Sequence, residues 1–97
     1  MDIDKVYDAV EEAKDASTQR QLIINYCMSF VSLLESDPEA RQDIAYNIAT
    51  FESTEYAESL EEEDPLSVML NFAGVMEDAE PDSEDWALFI EIIQSLE

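Results

Sequence analysis

The chain has 97 residues, of which 25 are acidic and 4 basic, and its formal net charge is −21 with no histidine. That length fits one domain around one modest core. The charge argues against direct binding to nucleic acid or to an anionic membrane, since both need Lys and Arg. Leu, Ile, Val and Phe together number 25, enough apolar mass for a folded rather than a disordered chain.

Residues 3–15 set Ile3, Val6, Tyr7, Val10 and Ala13 on one face at helical spacing. Asp2 is the predicted N-cap, and Asp4 lies in the first turn, where the helix dipole favours an acid. Thr18 and Gln21 fit a capping box for the next helix. From Leu22 to Leu34, ten of thirteen positions are apolar or sulfur-bearing, which predicts a continuous, buried central helix. Cys27 lies within it and has no electropositive neighbour in sequence, so a buried, inert thiol is expected.

In "ESDPEA", Asp37 is the predicted N-cap and Pro38 the first helical residue. Ile44, Ile48, Phe51 and Tyr56 form the inward face of this third helix. Its pattern extends to about Leu60, with Ser53 and Thr54 marking a candidate kink. "EEDPLS" repeats the same start, with Asp64 as cap and Pro65 opening a short helix. Leu66, Met69, Leu70, Phe72, Ala73 and Met76 are its expected inward residues, joined by Leu60 and Val68. Gly74, the one glycine, either ends this helix or admits a close neighbour. "EDAEPDSED" then reads as a loop, with Ser83 or Asp82 capping a last helix whose inward face is Trp86, Phe89, Ile90, Ile93 and Leu96.

Period-2 alternation and hairpin dipeptides are absent. The expected architecture is therefore all-α: a compact bundle of about five short helices in a single domain over residues 1–97. The acidic N-terminus lacks an apolar signal segment, no stretch is long enough to span a bilayer, and one cysteine cannot form an internal disulfide. A soluble, cytoplasmic protein is expected.

Catalytic chemistry finds little footing. Without histidine the commonest general base and metal ligand is missing, and one glycine cannot build a phosphate loop. Asp78, Glu80 and Asp82 match the first three ligands of a calcium loop. Ser83 then replaces its glycine, Phe89 its final glutamate, and Pro81 intrudes. Glu58-Ser59-Leu60 approaches the Asp-Ser-Leu of acyl carrier proteins, but "EEEDP" follows it instead of an apolar helix. No enzyme activity, cofactor, metal or catalytic residue is expected.

Charge is the remaining signal. Residues 42–97 hold sixteen acids and no base. Glu52, Glu55, Glu58 and Glu62 recur three or four apart, a row on one face if the third helix continues. Their step of about 5–6 Å is on the scale of phosphate spacing along a nucleic-acid strand. Glu61, Glu63 and Asp64 widen the row, and Glu77, Asp78, Glu80, Asp82, Glu84 and Asp85 form a second cluster beyond the next helix. Tyr46 lies about 200° from both Ile44 and Ile48, so it points outward beside Asp43, a plausible interface anchor.

In size and charge the chain resembles small acidic proteins such as phage-encoded inhibitors of restriction or CRISPR effectors and immunity proteins against nuclease toxins. That resemblance implies an inhibitor whose acids mimic nucleic-acid charge and block the groove of a basic nucleic-acid-binding protein. Two alternatives stand beside it: an acidic helical adaptor or structural subunit of a larger complex, and a salt-adapted small protein. Homo-oligomer formation is left open.

Overall fold

The structure, a computed structural model, describes residues 3–96. Among them α1 spans Ile3–Glu12, α2 Ala16–Ser29, α3 Val31–Ser36 and α4 Pro38–Thr50. A 3₁₀ turn, Phe51–Ser53, leads to the single turn α5, Glu55–Glu58, and then come α6, Pro65–Met76, and α7, Asp85–Ser95. No strand occurs among the described residues. The fold is the expected all-α bundle, with more breaks than the sequence pattern suggests.

The breaks have local causes. In a continuous helix the Tyr26 carbonyl would accept from the Phe30 amide. Instead the Ser29 hydroxyl donates to that carbonyl at 2.6 Å, and the Phe30 amide turns to Cys27 O at 3.2 Å. This is a side chain competing with the helix ladder, and it divides the expected central helix into α2 and α3. The third helix stops for a related reason. Thr50 Oγ1 donates to Tyr46 O, Ser53 Oγ to Thr50 O, and Thr54 Oγ1 to Phe51 O. Thr54 itself is extended (φ −72°, ψ 150°) and its hydroxyl accepts from the Ala57 amide, so it caps a new turn. The expected run to Leu60 is therefore three separate pieces.

Two predicted caps hold. Asp37 accepts from the Glu39 amide and Asp64 from the Leu66 amide, each with proline at the first helical position. Others differ. α2 begins two residues before Thr18, because Asp15 is its cap and accepts from both the amide and the hydroxyl of Thr18. Those bonds hold the Asp15 carboxyl below its ordinary pKa. α7 starts after Glu84 with no side-chain cap, and neither Asp82 nor Ser83 serves. The connection before α7 is anchored from outside instead. Arg41 Nη1 donates to Pro81 O, Gln42 Nε2 to Ala79 O, and Trp86 Nε1 to Glu80 O. Gly74 lies inside α6 and does not end it. A Cβ there would meet only Glu52 Oε2 at 3.9 Å, so no close approach requires a glycine. The expected Asp2 cap lies outside the described residues.

The core joins Val6 and Val10 of α1, Ile23, Tyr26 and Cys27 of α2, Ile44 and Ile48 of α4, and the inner faces of α6 and α7. Phe51 is fully buried in it, with Tyr26 edge-on at 5.5 Å and Tyr7 stacked at 6.5 Å. Trp86 and Phe89 pack edge to face at 5.9 Å. Burying each such side chain contributes about 1.5–3 kcal/mol. Val68 departs from expectation: it is 43 % exposed and faces out beside α7 rather than into the core.

Candidate functional site

The sequence-predicted acids divide into three groups in space. Glu52 stands on the 3₁₀ turn, Glu55 and Glu58 on α5, and Glu61, Glu62 and Glu63 on the turn that follows. All six are exposed, but they do not form one helical row, because Thr54 breaks the helix between Glu52 and Glu55. Asp64 belongs elsewhere. It caps α6 and accepts from Arg20 Nη1 through both carboxylate oxygens at 3.0 Å. Burial opposes the Arg20 charge, yet hydrogen bonds with Tyr56 and Asp64 outweigh it and raise the guanidinium pKa. Asp64 is thus a structural carboxylate.

The second cluster also divides. Asp78, Glu80, Asp82, Glu84 and Asp85 are exposed along the α6–α7 connection and the start of α7. Glu77 instead closes α6 and turns toward α4. There the fold unites what the sequence separates. One depression of about 400 Å³ is lined by Tyr46, Glu52, Gly74 and Glu77. A second, of about 540 Å³, is lined by Glu52, Ser53, Glu58, Ser67 and Asn71. Glu52 is a wall of both, so they form one acidic seam between α6 and the α4–α5 segment. Tyr46 is 59 % exposed at its edge, as its helical angle predicts, and Asp43 lies exposed one turn before it.

No base lines this seam. Arg20 is held by Asp64, the one ion pair among the described residues. Arg41 donates to Leu34 O and Pro81 O and lies 5.9 Å from the Trp86 ring centre. Lys5 and Lys14 are exposed on α1 and on the α1–α2 connection.

On the other flank of α6 lies a surface that the sequence reading missed. Val68, Asn71, Phe72 and Val75 of α6 face Leu88 and Ile92 of α7 across a depression of about 440 Å³. Val75 is 63 % exposed and Leu88 49 %. A signal was present: Val68, Phe72 and Val75 follow the i, i+4, i+7 spacing, as Leu88 and Ile92 follow i, i+4. Val68 and Phe72 are expected to face inward with Leu66, Met69, Leu70, Ala73 and Met76, but the core covers only the flank of α6 that carries Leu66, Met69, Leu70, Ala73 and Met76.

Cys27 is fully buried, and burial pushes its thiol up to about 12. Among the described residues no group of three or more Asp, Glu, Cys or His could hold a metal ion. No helix among them is long and apolar enough to cross a membrane. Comparison with protein-family models, with curated proteins and with solved structures finds no match.

Proposed function

We propose that this protein is a non-enzymatic inhibitor whose acidic surface occupies the basic groove of a nucleic-acid-binding protein and excludes DNA or RNA from it. The observation that carries this reading is the acidic seam. Glu77, from the end of α6, joins Glu52 and Glu58 in lining it, with Tyr46 at its edge and no base in its walls. The exposed Glu61–Glu63 turn and the acids of the α6–α7 connection extend the same field.

Such a surface attracts a cationic groove over long range, speeds association, and makes the complex sensitive to salt. Tyr46 supplies the anchor, an amphipathic ring at a polar rim. The acids need no chemistry of their own, since occupancy alone denies the groove to phosphates. A cytoplasmic setting suits a chain whose single cysteine is a buried free thiol.

The test is affinity capture from lysate at low and high salt, with the wild-type chain and a variant carrying Glu52→Gln, Glu58→Gln and Glu77→Gln. The expected result is capture of a basic nucleic-acid-binding protein at low salt, its release at high salt, and at least about tenfold weaker binding to the variant. The captured protein should lose its nucleic acid when the wild-type chain is added. Capture that survives both high salt and the substitutions overturns the charge-mimic reading and favours the adaptor.

A further inference from the structure

We propose that the apolar trough between α6 and α7 docks an amphipathic helix of a partner protein, one whose apolar stripe is flanked by Lys or Arg. This surface is separate from the acidic seam, and its occupancy does not require the partner to bind nucleic acid.

The trough is contiguous rather than scattered. Val68, Phe72 and Val75 form one wall, and Leu88 and Ile92 the other. Isolated exposed apolar side chains are ordinary on a protein surface, but a joined patch marks an interaction site. Its dimensions suit a helix. Val68 to Val75 covers two turns, about 10 Å, the span of i, i+3 or i+4, i+7 anchors in helix-in-groove recognition. Walls from two neighbouring helices also leave a groove of the kind into which helix side chains pack.

The rim chooses the occupant. Asp78 lies one turn after Val75, its amide bonded to the Val75 carbonyl at 3.3 Å. Asp85 and Glu91 lie one turn to either side of Leu88, and all three acids are exposed. Asn71 borders both the trough and the acidic seam, so Glu52 and Glu58 lie on the opposite flank of α6. None of the four bases lines the trough. A helix seated here sets its apolar stripe on Val75 and Leu88 and its flanks over carboxylates on both sides, which selects Lys and Arg at those flanks. The same field disfavours a second copy, which would bring another net −21, and an anionic membrane.

The test uses synthetic peptides of about 15 residues, long enough to form a helix. The first has Leu at i, i+3, i+4 and i+7 with Lys on both flanks. The second keeps the Leu positions with Glu flanks, and the third keeps the Lys flanks with Ser in place of Leu. Binding is followed by fluorescence anisotropy against the wild-type chain, against Val75→Ser/Leu88→Ser, and against Val68→Ser alone. These positions are exposed, and circular dichroism is used to check that the fold is retained.

The Lys-flanked Leu peptide should bind best and lose about tenfold in affinity to the double variant. Val68→Ser should lose several-fold, and both control peptides should bind far more weakly. Unchanged affinity in the groove variants overturns the site. Equal binding of the Glu-flanked peptide overturns the assigned partner chemistry, as does a dimer in sedimentation equilibrium that Leu88→Ser dissolves. The seam substitutions leave the trough walls intact. Lost lysate capture in the glutamine variant, with no effect of the trough variants on peptide binding, sinks this proposal and spares the charge-mimic reading.

Discussion

At Cys27 the environment decides the chemistry. The thiol is enclosed by the core, and burial raises its pKa to about 12, against about 8.5 for a free cysteine. Below about pH 8.5 the thiol is protonated in both folded and unfolded chains and its ionisation does not affect stability. Above that the unfolded chain releases the proton first, so stability falls as pH rises toward 12, by up to about 1.4 kcal/mol per pH unit. Burial raises Tyr26 in the same direction, partly offset by its hydrogen bond with Asn47. Urea midpoints should therefore decline on the alkaline side, and Cys27→Ala should flatten that limb. A thiol reagent should label Cys27 only on unfolding, and rapid labelling of the folded chain would contradict the burial. The enclosed thiol was legible from the apolar run around it. The two roles of Asp64 were only half legible: Asp-Pro marks a cap, but nothing local announces an ion pair with Arg20, 44 residues away.

The unexpected helix breaks, after α2 and after α4, coincide with hydroxyl groups that bond to the backbone. Ser29, Ser53 and Thr54 each donate to a backbone carbonyl three residues earlier, Thr50 to one four residues earlier, and the chain turns at or just after this series. Thr54 is the decisive member, 1 % exposed, bonded to Phe51 O at 2.7 Å and to the Ala57 amide at 3.1 Å. Thr54→Val keeps the shape but removes both hydroxyl bonds, leaving the Ala57 amide uncapped and the Phe51 carbonyl with the Thr54 amide alone. The expected cost is about 1–2 kcal/mol, measured by urea denaturation, with faster hydrogen exchange at Ala57. An unchanged midpoint would mean that packing alone sets the break. Such breaks are hard to read in advance, since a serine or threonine can equally remain helical while it bonds to the preceding turn. Asp37-Pro38 and Asp64-Pro65 were readable because proline removes the alternative.

For the molecule as a whole, charge is the main opposing force. No α-helix among the described residues ends with a base in its last turn, so the helix dipoles lack that compensation. Self-repulsion at net −21 is relieved when salt shortens the screening length from about 30 Å at 0.01 M to about 3 Å at 1 M. The thermal midpoint should rise across that range and then level off. A midpoint still climbing in several-molar salt would favour salt adaptation over a binding role for the acids, and a flat profile would show that repulsion is not limiting. The helical class, the helically spaced apolar faces, the Asp-Pro starts and the excess of carboxylates follow from sequence alone. They depend on periodicity, on proline geometry and on composition, all local or additive. The tertiary structure decided which carboxylates meet. It broke the expected row at Thr54, turned Asp64 toward Arg20, brought Glu77 across to Glu52 and Tyr46, and left Val68 and Val75 outside beside Leu88. Each of these depends on how helices distant in sequence pack side by side, and one-dimensional spacing does not contain that relation.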